Sequence, residues 1–222
     1  MAGMERSEAV LPLVAVLVVI ATFFVLVLFG VIFTHLSFFL ASIVGELLIV
    51  AIPLGYMLYK RIDVRKYIGL QYTPRAVLVG MAAGGLLLLF DIIVTVGLTA
   101  VLGNSALVEG SNELILEMSG SIHGLLQLIV ALSLAGFCEE FTFRGFLQTS
   151  IENRYPFKAA LFVSSLAFGL FHFDPQAVYT ISAFLMGLGL GFVYNHWRSY
   201  TVSSVAHATV NLIALAFLLL PA

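Results

Sequence analysis

The sequence predicts an all-α, polytopic transmembrane helical bundle of about seven spans, or eight on the widest count, and three observations predict it. Of the 222 residues, 61% are hydrophobic and 10% are charged, where soluble domains carry roughly one quarter charged residues. Mean hydropathy is +1.10. Several stretches exceed the ~18 consecutive apolar residues of a spanning helix. None of them alternates apolar with polar residues as a barrel strand does, so their backbone groups must be satisfied within helices. With no repeat, low-complexity tract or linker, residues 1–222 read as a single membrane domain.

The first apolar stretch, about Ala9 to Phe33, is longer than the ~7–15-residue core of a secretory signal and lacks a clear cleavage site, so it should remain as an anchor. Further spans are expected over about Phe38 to Tyr59 and Ala76 to Leu102. A polar stretch, Gly103 to Ser121, follows, with additional helix conceivable over Ala106 to Met118. The fourth span starts near Ile122 and should continue as helix to about Asn153. Pro156 to Phe173, Ala177 to Trp197 and Thr201 to Leu220 complete seven.

Orientation follows from the ten Lys and Arg residues. Arg6, Lys60, Arg61, Arg65, Lys66, Arg75, Arg144, Arg154, Lys158 and Arg198 all fall at or toward one side of a seven-span chain. By the positive-inside rule that side is the cytoplasm, with the N-terminus inside and the C-terminus on the opposite side. Glu109, Glu113 and Glu117 then lie in an external connection, as a solvated acidic loop or a cation site. The net charge is -2 and basic residues occur in short clusters, so no nucleic-acid partner is expected, and membrane lipid is the partner that composition implies. A single cysteine, Cys138, excludes an internal disulfide and reads as a small buried residue.

Ionisable groups at membrane depth need a partner or a water-filled cavity, and they concentrate in the second half. Glu140 and Arg144 are four apart on one helix face and form an expected charge-assisted pair. Glu139 lies about 100° around the helix, without a local cation, as the chemically available carboxylate. A bland helix-end charge cluster would suit Arg144 alone, but two adjacent glutamates must be partly desolvated.

His172 closes Phe168-Gly169-Leu170-Phe171-His172. If the chain turns near Tyr155 and Pro156, Glu139 precedes the turn by as many residues as His172 follows it, so an antiparallel pair holds both at one depth. In the last span His207 and Asn211 share a face, although Asn211 alone would read as ordinary interhelical glue. Asp91 and Glu46 are single acids without an evident partner, read as hydrogen-bond anchors or minor functional groups. His35, His123 and His196 fall near interfaces. Gly187 and Gly191 form a small-xxx-small pattern for close packing.

These residues resemble the three motifs of the CPBP family of membrane proteases, which includes CAAX prenyl endopeptidases and bacteriocin-processing or immunity proteins of Abi type. Glu139-Glu140-Phe141-Thr142-Phe143-Arg144 reads as EExxxR, Phe168 to His172 as FxxxH, and His207 to Asn211 as HxxxN. Each is short; their order and placement make the combination specific. The resemblance covers about Leu125 to Leu215, within a core of residues 122–220, and family members often have eight spans. It implies an intramembrane endopeptidase in which Glu139 and His172 activate water while His207 and Asn211 stabilise the oxyanion, with Glu140, Arg144 and Phe168 in support.

Such proteins have been described both as metalloproteases and as glutamic proteases. Zinc would take Glu139, His172 and His207. No HExxH is present and Asn211 would be an unusual zinc ligand, so the metal-free glutamic mechanism, without a cofactor, is preferred. The substrate would be membrane-associated, prenylated or not. No GxSG or GxGD appears for serine or aspartyl intramembrane chemistry. The main alternative is a noncatalytic immunity protein or peptide-binding scaffold of the same family; a proton-relaying transporter is the third reading.

Overall fold

A computed structural model of the protein describes residues 10–220. Arg6 and the predicted start of the first span at Ala9 lie outside the described residues. Within them the chain forms nine helices: α1 (Pro12–Ile32), α2 (Phe38–Tyr59), α3 (Val64–Tyr67), α4 (Pro74–Leu102), α5 (Ala106–Ser119), α6 (Ile122–Glu152), α7 (Phe157–Phe171), α8 (Val178–Trp197) and α9 (Tyr200–Leu218). Local chemistry sets many of the starts. Pro12 and Pro74 stand in first turns, where no backbone donor is needed. Ser37, Asp63, Thr73, Ser105, Ser121 and Ser199 cap helices by accepting the backbone N–H three residues on.

Six helices are long and apolar enough to cross a bilayer: α1, α2, α4, α6, α8 and α9. The remaining predicted span corresponds to α7, which has 15 residues and at about 1.5 Å per residue falls short of a ~30 Å hydrocarbon core. The chain is an integral membrane protein of helical type. The acidic connection is not a loop but the helix α5, with Glu113 and Glu117 on its exposed face.

The basic residues meet at one end of the bundle. Gly69 accepts a bond from Tyr200 N (3.2 Å), Ile68 O accepts from Tyr194 Oη (3.2 Å), and Arg198 pairs with Glu152. These ties join the segment after α2, with Lys60, Arg61, Arg65 and Lys66, to the α6–α7 and α8–α9 turns. Gly69 has φ +66°, and a Cβ there would stand 2.6 Å from Arg198 O, so this docking needs glycine. Arg144 departs from the expected cytoplasmic set: its side chain is fully buried inside the bundle.

Helix α6 is continuous, as expected, but not uniform. Phe141–Gln148 winds as a π-helix directly after Glu139 and Glu140, and every residue of that segment is buried. From it Arg144 Nη2 donates to Gly187 O (3.1 Å) and Gln148 Nε2 to Gly191 O (3.0 Å), two equally spaced bonds to α8. The small-residue stripe on α8 therefore serves twice. A Cβ at Gly187 would crowd Ser165 at 3.1 Å and one at Gly191 would crowd Leu161 at 2.6 Å, while the carbonyls at both positions hold α6.

Candidate functional site

Three helices deliver the polar groups. Glu139 and Glu140 lie where α6 changes from α to π winding, His172 caps the C-terminus of α7, and His207 lies in the middle of α9. Glu139 is 8% exposed, Glu140 is fully buried, and His207 is 5% exposed. The antiparallel α6–α7 pair does hold Glu139 and His172 at one depth: Glu139 Oε1 lies 3.7 Å from His172 Nε2. The other oxygen, Oε2, lies 3.5 Å from His207 Nε2.

His207 reaches this position because α9 runs close against α6. A Cβ at Gly136 would stand 2.5 Å from Ala208 N and 2.8 Å from Ala208 Cα. On an adjacent face of α9, Gly80 and Gly84 of α4 admit it equally closely, with Ala206 O 2.5 Å from a Cβ at Gly84. His207 Nδ1 faces Glu140 Oε1 at 3.4 Å and has no hydrogen-bond partner among the described residues. Both of its ring nitrogens thus face carboxylates, which accept and cannot donate, so these surroundings support an N–H donor role.

His172 is oriented by its own helix. Its Nδ1 lies 2.9 Å from Phe168 O; a carbonyl only accepts, so Nδ1 carries a hydrogen and the ring is held with Nε2 directed at Glu139. Phe168 itself joins the motifs. Its ring lies 4.5 Å from Arg144 Cζ, 4.6 Å from the His172 ring and 5.7 Å from the His207 ring. Arg144 Nη1 pairs with Glu140 Oε1 at 3.0 Å, the expected i,i+4 contact.

Asn211 shares the face of His207 but is already engaged: its Nδ2 donates to Leu132 O of α6 (3.1 Å). One amide N–H remains for a ligand. Two residues read from sequence as isolated acids belong here as well. Glu46 of α2 lines a cavity of about 230 Å³ together with Glu139, His172, His207 and Asn211, and its Oε2 is buried without a partner. Asp91 of α4 lines a larger cavity of about 510 Å³ that also reaches His172, His207 and Asn211. Tyr179 of α8, not singled out from the sequence, stands edge-on to His172 at 5.2 Å between ring centroids. Glu46 and Asp91 were visible as membrane acids, but their convergence depends on helix packing that spacing does not encode. His35, His123 and His196 lie on exposed positions away from this centre.

Among the described residues no group of three or more His, Cys, Asp or Glu side chains converges to hold a metal ion. Cys138 is buried beside Glu139 in sequence and forms no disulfide.

Comparison with known proteins bears on the second half of the chain. Residues 121–213 match the family model described as Rce1-like, type II CAAX prenyl endopeptidase Rce1-like. No curated protein and no solved structure matches. The matched segment contains Glu139 to Arg144, Phe168 to His172 and His207 to Asn211, so residues 121–213 are similar to this family of CAAX proteases over the part of the chain that carries the three motifs.

Proposed function

We propose that the chain is an intramembrane endopeptidase that hydrolyses a peptide bond of a membrane-associated substrate with water activated by Glu139 and His172. The observation that carries the reading is the placement of one buried carboxylate between two imidazoles, Glu139 Oε1 near His172 Nε2 and Oε2 near His207 Nε2. A water held between Glu139 and His172 Nε2 is oriented for attack on a carbonyl carbon. Glu139 takes its proton as the C–O bond forms, then returns that proton to the leaving amine nitrogen as the C–N bond breaks. The negative charge that develops on the carbonyl oxygen is met by N–H groups of His207 and Asn211, where little water competes. Glu140 and Arg144 fix the helix turn that carries Glu139, and Phe168 packs the three motifs together.

The family match supports a CAAX-type substrate, and a prenylated protein tail is the finer form of the proposal. The end of the bundle bearing Lys60 to Lys66, Arg154 and Arg198 is proposed to face the cytoplasm, which fits the positive-inside rule. The proposed mechanism uses no metal, on the ground that the chain carries no HExxH and that Asn211 is not a usual zinc ligand.

The experiment is to incubate purified protein in lipid nanodiscs with prenylated and unmodified membrane peptides, with and without chelator, and identify products by mass spectrometry. Cleavage that persists in chelator and falls by about 10²–10⁴ in Glu139→Gln supports the reading. Cleavage abolished by chelator and restored by zinc overturns the metal-free mechanism. Binding of peptides without cleavage by the wild type favours the noncatalytic scaffold.

A further inference from the structure

Helix α7 ends one residue before His172, so the helix alone does not hold that residue. His172 has φ -100° and ψ 40°, and its N–H reaches back to Gly169 O (3.0 Å). Its carbonyl stands past the end of α7, where no donor of the same helix follows. The ring is held at Nδ1 by Phe168 O. What fixes the backbone beneath that ring comes from the first turn of α8.

Thr180 Oγ1 donates to His172 O (3.1 Å) and accepts from Asp174 N (2.8 Å). One hydroxyl thus ties the carbonyl of His172 to the N–H on the far side of Phe173, a use of its single donor together with an acceptor lone pair. Asp174, itself 2% exposed, closes the same loop from the other side. Its Oδ1 accepts from Gln176 N (3.2 Å), its Oδ2 from Tyr179 N (3.0 Å), and its carbonyl from Ala177 N (2.8 Å). The two helices meet closely at this level, since a Cβ at Gly169 would stand 2.9 Å from Thr180 O. Tyr179, set by its bond to Asp174, holds its ring at 85° to the His172 ring and lines both cavities that reach this histidine.

We propose that Thr180 is a positioning residue for His172. Its hydroxyl, in the loop closed by Asp174, fixes the end of α7 so that His172 Nε2 stays 3.7 Å from Glu139 Oε1, where the hydrolytic water is held. The proposal rests on the endopeptidase reading and adds to it a residue outside the three motifs. Thr180 lines neither cavity, so the substrate does not meet it and its loss is felt in turnover rather than in binding. Valine keeps the shape of the side chain and leaves His172 O and Asp174 N without their partner, whereas serine keeps the hydroxyl.

The test compares wild type, Thr180→Val and Thr180→Ser, each full-length in phosphatidylcholine nanodiscs, on the prenylated and unmodified membrane peptides of the cleavage assay. Thr180→Val should lower kcat by about tenfold or more with KM within about twofold, as expected when a water-orienting group is displaced by up to about 1 Å. Thr180→Ser should return kcat to within about threefold of wild type. Hydrogen exchange read by mass spectrometry reports the clamp without any cleavage: residues 172–180 should exchange faster in Thr180→Val and as wild type in Thr180→Ser. If Thr180→Val does not fold, Thr180→Cys, with a weaker donor of similar size, takes its place under the same criteria. An unchanged kcat in the variant without the hydroxyl, a change confined to KM, or a Ser variant as slow as Val overturns the proposal. If the wild type cuts no peptide, the endopeptidase reading fails, and exchange then decides the clamp separately: faster exchange in Thr180→Val supports it and equal exchange overturns it.

Discussion

Gly136 and Ala208 touch so closely that a methyl group at Gly136 would stand 2.5 Å from the Ala208 backbone nitrogen. The contact lies three residues before Glu139 on one helix and one residue after His207 on the other, so it sets the separation of α6 and α9 where the carboxylate meets the imidazole. Backbone cannot yield as a side chain end does. Gly136→Ala should destabilise the fold by about 1–3 kcal/mol, in the range of overpacked cores, and should lower cleavage further by displacing His207. Gly85→Ala is the control, since nothing lies within 4 Å of its Cβ position. Thermal unfolding in detergent reads the first effect and peptide cleavage the second; equal behaviour of the two variants would refute the role of the contact.

Arg144 is stabilised by three different partners: Glu140 Oε1 at 3.0 Å, Gly187 O at 3.1 Å, and the face of Phe168 at 4.5 Å. Arg144→Met removes all three and leaves Glu140 buried beside Glu139, a change expected to cost about 3–5 kcal/mol. Arg144→Lys should be only partly tolerated because an ammonium lacks the planar fork that serves a carboxylate and a carbonyl together. The double variant Glu140→Gln with Arg144→Met should recover part of the lost stability. Additive losses in that thermal-unfolding cycle would show that the two side chains do not act as a pair.

How far such relationships could be read in advance depends on how local they are. Glu140 with Arg144, and Phe168 with His172, lie within single helix turns, so the 3.6-residue period was enough to pair them. Glu139 with His172 needed one more step, equal counting on either side of the Tyr155–Pro156 turn, and a hairpin of two helices permits that step. The bond of Asn211 to Leu132 O and the entry of Glu46 and Asp91 into the site depend on lateral packing of non-adjacent helices, for which the sequence holds no register. The π winding of Phe141–Gln148 was also hidden, because no residue type or spacing in it distinguishes i→i+5 from i→i+4 bonding. A helix over α5 was readable as an option from its pattern, whereas the contact of Glu109 with the larger cavity was not.

Asp174 supplies a pH prediction from the connection between α7 and α8, outside the spans. Burial alone would raise its carboxyl, but backbone N–H groups of Tyr179 (3.0 Å) and Gln176 (3.2 Å) donate to the carboxylate and hold it below the usual range. A depressed folded value means that its stabilisation is complete above the unfolded value of about 3.9 and is lost as pH falls through the folded value. The wild type should therefore lose Tm on acidification below about pH 4, and Asp174→Asn should lose less over the same interval. Since Asp174 also accepts at the start of α8, the variant should be less stable than wild type at neutral pH. Parallel Tm curves for the two proteins across the acid range would contradict this assignment.

Glu46 and Asn211 can be separated from mere structural support by comparing stability with turnover. Glu46 Oε2 is buried without a partner, and an orphaned polar atom of this kind typically costs about 1–3 kcal/mol. A side chain kept only for packing would be replaced by Gln or Leu with no loss of activity and some gain in stability. If Glu46 instead shapes the water and charge around Glu139 in their common cavity, Glu46→Gln should keep or raise Tm while lowering kcat by about tenfold or more. Asn211→Ala is expected to behave differently: it loses the bond to Leu132 O, about 1 kcal/mol of stability, and also an oxyanion donor, about 10²–10³ in kcat. Unchanged kcat in Glu46→Gln would return Glu46 to the bundle as an unused acid, and a kcat for Asn211→Ala that follows only its loss of folded protein would reduce Asn211 to helix glue.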